Sequence, residues 1–191
     1  MITLNVNFAI ECMWEGLGIV WLVGLAFNKK TARSQSGGTR LFQTAAALLG
    51  FSFLGSSWFS QGWMGSRFFP GSVPAQYVGL ALTAAGCLFA IWARLTLGAN
   101  WSGRATIKKE HELIVKGPYG LARHPIYTGF LLASLGTAMA IAEWRCVMGL
   151  IIILLALIVK MSQEERLMME TFPQTYPQYR RRVKALIPGL I

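Results

Sequence analysis

Two stretches of the 191-residue chain concentrate side chains able to do chemistry. Arg123-His124-Pro125-Ile126-Tyr127 follows Lys116-Gly117-Pro118-Tyr119-Gly120 closely, and Glu164-Glu165 stands beyond a long apolar run. Gly117-Pro118 and His124-Pro125 are turn and helix-start signals, because proline fixes its own φ and drives the preceding residue out of the α region. Pro125 suits the first position of a helix, where its missing N–H is harmless. Arg123, His124, Tyr119 and Tyr127 are thereby presented at the mouth of an apolar helix. Polar groups there are expensive unless they face a partner, a ligand or water. Glu164 and Glu165 lie in an otherwise cationic region. Anionic headgroups would repel such a pair, so it is expected to turn inward and meet a cation such as Arg123, or a ligand. Lys160 sits one helical turn before Glu164. Plainer readings stand beside these: Arg123 snorkelling to lipid phosphate, His124 capping the next helix, and Glu165, Arg166 and Glu170 forming surface pairs of little worth.

Other site types find no support in the residues. No phosphate-binding loop, Gly-x-Gly-x-x-Gly after a strand, HExxH or Gly-x-Ser-x-Gly occurs. His111 and His124, the two histidines, are too far apart in sequence to suggest a metal site. Cys12, Cys87 and Cys146 fall in separate apolar segments without CxxC spacing, which argues for buried small hydrophobes rather than zinc or disulfides.

The elements that must position these residues are membrane helices. Hydrophobic residues make up 54% of the chain, only 14% are charged, and mean hydropathy is +0.47. The apolar residues bunch into five segments, each near the ~20 residues needed to cross a bilayer: 8–27, 41–59, 75–95, 125–142 and 146–160. The last is expected to continue as a helix towards residue 172. The fourth and fifth are joined only by Glu143-Trp144-Arg145, which demands a tight antiparallel hairpin. The expected fold is an all-α integral membrane protein with five transmembrane helices, divided into an accessory pair at 1–70 and a core at 71–191.

Lys+Arg total 18 against 8 Asp+Glu. The basic residues lie between the apolar runs rather than on one soluble face, so positive-inside topology and anionic lipid explain them better than nucleic acid. Only Arg67 and Arg145 fall on one side. The N-terminus is therefore expected outside and the C-terminus in the cytosol. The N-terminal segment, interrupted by Glu11 and Glu15 and lacking a basic n-region, reads as a retained helix. Residues 96–123 and 161–191 then share a compartment and can meet. The tail from Phe172 to Lys184 reads as a turn and a short basic helix with a lipid-anchoring role. The tryptophans lie mostly near segment ends, as in an interfacial belt.

Several spaced blocks together resemble the isoprenylcysteine carboxyl methyltransferases and their prokaryotic relatives: Leu97-Gly98…Trp101-Ser102, His111-Glu112-Leu113-Ile114, Gly117-Pro118-Tyr119, Arg123-His124-Pro125-Ile126-Tyr127-Thr128-Gly129, Glu164-Glu165, Phe172, Tyr176-x-x-Tyr179 and Ile187-Pro188. The blocks cover roughly residues 90–191. The resemblance implies an integral membrane methyltransferase that uses S-adenosyl-L-methionine and releases S-adenosyl-L-homocysteine. A cytosol-facing pocket would hold the cofactor, and a tunnel between helices would admit a lipophilic or lipid-modified substrate. It implies cofactor contacts at Arg104, His111, Glu112, Leu113, Ile114, Tyr119, His124, Pro125, Ile126, Tyr127 and Glu164. It assigns catalysis to Arg123, Glu164 and Glu165, and the substrate side to Arg123 and Lys160. Lys160 stands near an arginine of the eukaryotic enzymes, keeping the charge without the planar fork.

Methyl transfer suits these residues. In-line displacement at a sulfonium disperses positive charge, so holding donor and acceptor in line and excluding water is the main task. An ionised carboxylate acceptor needs no base. Three alternatives remain at this stage: an amine or phospholipid acceptor with Glu165 as base, a sterol-reductase-like NADPH oxidoreductase sharing the RHPxY region, and a non-enzymatic helical hairpin.

Overall fold

A computed structural model describes residues 5–26, 31–34, 37–98, 106–108 and 113–189. Among these residues six α-helices form the body: α1 (Val6–Leu25), α2 (Gly37–Gly55), α3 (Val73–Leu97), α4 (Pro125–Ile141), α5 (Trp144–Thr171) and α6 (Tyr176–Arg182). Their starts follow local chemistry. The Asn5 side chain accepts from the Phe8 N–H, Ser72 accepts from the Ala75 N–H, and prolines occupy the first turns of α3, α4 and α6. One feature departs from the all-α expectation. Strands β1 (Thr31–Ser34) and β2 (Thr106–Lys108) pair antiparallel, joining the connection after α1 to that after α3.

Of the five expected spans, three correspond to helices of full crossing length. α1, α3 and α5 are long and apolar enough to cross a membrane, whereas the apolar parts of α2 and α4 are shorter. With α5 extending well past its apolar stretch, the chain is an integral membrane protein with a polar elaboration at one end.

Small residues set the closest packing. Antiparallel α3 and α4 meet through Gly79, Thr83, Gly86 and Ala90 against Gly129, Ala133 and Gly136. A Cβ on Gly86 would lie 2.6 Å from the Gly129 carbonyl oxygen, and one on Gly136 would lie 2.6 Å from that of Gly79. In lipid, where apolar contact alone gives little drive, such backbone approach supplies dispersion contacts that larger side chains would prevent. α2 and α5 use the same device at Gly50 and Gly149. Gly86→Leu should therefore destabilise by about 3 kcal/mol or more through overpacking against backbone. Gly18→Leu should change little, since nothing lies within 4 Å of a Cβ there. Thermal melting of the two purified variants checks the contrast.

Two buried arginines close the ends of the bundle. Arg145 sends one guanidinium nitrogen to the carbonyls of Phe53, Leu54 and Ser56 at 3.0, 2.9 and 3.2 Å, while its Nε donates to Glu143 at 2.5 Å. It thus satisfies the orphan carbonyls at the end of α2. At the opposite end Arg94 donates to the Gly24 carbonyl of α1 at 2.7 Å and to Gly98 at 2.9 Å. The α4–α5 turn passes through Ala142 in the left-handed region, φ 63°. It is pinned by Phe68 N–H to the Ala142 carbonyl at 3.0 Å and Trp144 N–H to that of Ser66 at 3.1 Å.

The tryptophan belt holds only in part. Trp58, Trp63, Trp92 and Trp144 are exposed. Trp14 instead turns inward, donating from its indole to the Thr137 hydroxyl at 3.1 Å and packing edge-on against Phe51. An indole N–H turned into the bundle needs a partner, and Thr137 provides it.

Candidate active site

The site forms where the turn before α4, the polar extension of α5 and the C-terminal tail converge. Residues 117–120 make a single 3-10 turn, with Gly117 at φ 60° and with Pro118 and Tyr119 buried. Tyr179 of α6 donates its hydroxyl to the Tyr119 carbonyl at 2.6 Å, tying the tail to this turn. Beyond α6 the chain runs across the start of α4. Arg123 N–H donates to the Lys184 carbonyl at 2.8 Å, His124 N–H to Ala185 at 2.9 Å, and the Thr128 hydroxyl to Leu186 at 2.8 Å. The tail thus supplies carbonyls to amides that a helix start leaves without partners. The two polar stretches expected to share a compartment meet here.

Side chains complete the closure. Arg123 directs Nε and Nη2 to Oε1 of Glu165, at 2.8 and 2.5 Å, and Nη1 to the carbonyls of Val183 at 2.5 Å and Arg180 at 3.3 Å. Glu165 also lies 3.3 Å from His124 Nε2 and, through Oε2, 3.3 Å from Arg180 Nε. It faces inward to Arg123 and His124, with exposed Arg180 closing its outer side. Glu164 accepts the Tyr127 hydroxyl at 2.7 Å on Oε1, while its Oε2 is 3.6 Å from His124 Nδ1. His124 stacks parallel to Tyr127 at 5.5 Å, and Lys160 Nζ sits 5.3 Å from the Tyr127 ring centroid, within cation–π range. Ile126, Tyr119, Tyr127 and Met161 form a buried apolar floor, with Ile114 packed against it. Leu113 is half-buried beside Ile114, and Pro125 is buried at the first position of α4. Arg104, His111 and Glu112, expected to contact cofactor, lie outside the described residues.

One of the plainer readings does not hold. His124 occupies the N-cap position of α4, but its side chain makes no capping hydrogen bond. Its ring turns to the two carboxylates instead, because charge attraction from Glu164 and Glu165 outweighs a neutral bond to one backbone amide. Burial opposes the imidazolium, yet the negative charges of both glutamates and the hydrogen bond to Glu165 overcome it, and the pKa is raised above the usual 6.5. The native state therefore binds this proton more tightly than the unfolded chain. The resulting stabilisation is complete below about pH 6.5 and is lost as pH rises through the raised native value. Melting temperature should accordingly decline over that interval, and His124→Gln should remove this component of the decline. Melting curves of both proteins across neutral to alkaline pH read the difference.

Sequence reasoning passed over Tyr179 and Arg180 as site-forming residues and missed the tail carbonyls altogether. The Tyr176-x-x-Tyr179 spacing carried a usable signal, since both tyrosines bury on one side of α6 and a buried hydroxyl demands a partner. Backbone carbonyls have no sequence signature.

Fold and site together define a helical integral membrane protein with a buried arginine–histidine–carboxylate cluster closed by its own tail. Residues 78–170 match the model of the isoprenylcysteine carboxyl methyltransferase (ICMT) family. The chain is 28% identical over 137 residues to protein-S-isoprenylcysteine O-methyltransferase B of Arabidopsis thaliana, covering 63% of this chain and 64% of that protein. It is 32% identical over 130 residues to the cobalt-zinc-cadmium resistance protein CzcN of Cupriavidus metallidurans, covering 67% and 54%. A solved structure of the eukaryotic intramembrane Ras methyltransferase ICMT shares the fold, with a TM-score of 0.52 and 21% identity over 83% of this chain and 55% of that one. These matches liken residues 78–170, just under half of the chain, to the ICMT family. It spans less than two thirds of the length of the curated relatives it matches.

Proposed function

We propose that the chain is an S-adenosyl-L-methionine-dependent membrane methyltransferase acting on a lipophilic acceptor that bears a carboxylate, of the isoprenylcysteine kind named for its relatives. S-adenosyl-L-homocysteine would be the second product. The observation that carries this reading is Glu164, a partly exposed carboxylate amid buried aromatic and apolar side chains. One of its oxygens is taken by Tyr127; the other faces His124 Nδ1 at 3.6 Å, within ion-pair range but too long for a hydrogen bond. That oxygen keeps acceptor capacity for an ammonium or a hydroxyl, groups S-adenosyl-L-methionine carries. The donor set therefore fits the cofactor, with Glu164, His124, Tyr127, Tyr119, Leu113 and Ile114 among the residues that would hold it, and Arg104, His111 and Glu112 alongside. When bound, the cofactor supplies an electrophilic methyl group.

The chain's own residues orient and shield. Arg123 and Glu165 act as positioning residues here: the arginine's nitrogens are committed to Glu165 and to two tail carbonyls, so they hold the tail rather than the acceptor. Lys160, beside Tyr127 and one turn from Glu164, is the cation assigned to attract an anionic acceptor. The apolar floor and the tail exclude water, which strengthens each of these electrostatic contacts. An amine acceptor would require a base, and Glu165 is poorly placed for that work with Arg123, Arg180 and His124 all upon it. In this reading the chain crosses the membrane five times, with the short α2 and α4 included. The N-terminus is outside, the site is cytosolic, and residues 71–191 form the catalytic core.

The test is transfer of labelled methyl from S-adenosyl-L-methionine to prenylcysteine and other lipophilic carboxylates by the purified protein. Base-labile label, released as methanol, is the ester expected. Base-stable label would favour an amine acceptor, and oxidation of NADPH without methyl transfer would favour a reductase.

A further inference from the structure

Arg180, Arg181, Arg182 and Lys184 are exposed on and just after α6, while Tyr176 and Tyr179 bury on its other side. Residues 171–191 contain no Asp or Glu, so the segment brings no counter-charge of its own; Arg180 meets Glu165 of α5. Ile187, 48% exposed, adds an apolar residue next to the cationic row. The helix follows closely on α5, whose apolar length crosses the membrane, which keeps α6 near the headgroup layer. Cationic residues flanking a buried aromatic face, beside a bilayer, match an anionic surface in charge and in depth.

We infer that α6 docks on anionic lipid headgroups and that this docking holds the tail across the site. The link is physical. Arg180 reaches Glu165, Glu165 holds Arg123 and His124, and the backbone just past α6 receives the Arg123 and His124 amides. Restraining α6 on the headgroups therefore restrains the carbonyls that close the site. The inference concerns lipid contact and does not depend on the identity of the acceptor.

The test uses the full chain in nanodiscs of phosphatidylcholine alone or mixed with phosphatidylglycerol, with amide hydrogen exchange as the readout. Exchange at Arg123, at His124 and across residues 178–183 should slow about tenfold in the anionic discs, the scale expected of a few basic residues at such a surface. R181Q/R182Q should abolish the slowing, as should high salt. Both arginines are exposed, so the double variant should melt like the parent in phosphatidylcholine, which separates lost docking from lost folding. Inorganic phosphate added to phosphatidylcholine discs should not reproduce the effect. Equal exchange in the two compositions, slowing that survives R181Q/R182Q, or slowing by phosphate alone would overturn the inference. Methyl transfer in phosphatidylcholine discs would stand or fall separately.

Discussion

Glu165→Ala is expected to lower stability by about 3–5 kcal/mol, because it leaves buried cations without their partner. Glu165 is the common acceptor for Arg123, His124 and Arg180. The Arg123 side chain is only 9% exposed and that of His124 8%, so water replaces the lost carboxylate poorly. For a chain of this size the loss corresponds to an apparent melting shift on the order of 10 °C. Arg123→Ala should cost less, since Glu165 keeps His124 and Arg180. The double variant should be more stable than the sum of the single losses implies, the signature of direct coupling. Limited proteolysis supplies a second readout: the tail after α6 should become cleavable in Glu165→Ala before the bundle melts. A midpoint unchanged within error, with a protected tail, would remove the clamp from the account.

Glu164→Ala should have a different profile, with loss of ligand binding and a nearly intact fold. Glu164 gives up the Tyr127 hydrogen bond and its 3.6 Å ion pair with His124, which Glu165 still holds, so the stability loss should be about 1–2 kcal/mol, smaller than at Glu165. Its unoccupied acceptor capacity is what the proposed cofactor would use. A charge-assisted hydrogen bond is worth ~1.5–3 kcal/mol, so affinity for S-adenosyl-L-homocysteine should fall about tenfold to a hundredfold. Glu164→Gln keeps an acceptor and should lose less. Titration calorimetry on detergent-purified proteins, matched by melting curves, separates these outcomes. Unchanged affinity in Glu164→Ala would move the cofactor elsewhere in the loop.

Much of this arrangement was legible in the residues. Pro125 announced the start of α4 to the residue, and Glu143-Trp144-Arg145 left room only for a hairpin. The basic residues on one side implied that the loop and the tail would meet, and an acidic pair in a cationic region implied an inward-facing partner. What escaped notice was long-range and mostly backbone. The carbonyls of residues 183–186 close the site without any side-chain signature. Arg94 and Arg145 read as topology markers, yet each caps a neighbouring helix, a role visible only once the helices are juxtaposed. Trp14 looked interfacial because position along a segment says nothing about which way an indole turns, and Thr137 decides that. The β1–β2 ribbon joins two connections far apart in sequence, each too short to show an alternating pattern.

The most direct test of the central claim, that this cluster is a cofactor site, is titration of the purified wild-type protein with S-adenosyl-L-homocysteine, run in parallel with NADPH. Saturable one-site binding of the first and none of the second is the result predicted here. Folded protein that ignores S-adenosyl-L-homocysteine, or that takes up NADPH in its place, would contradict it.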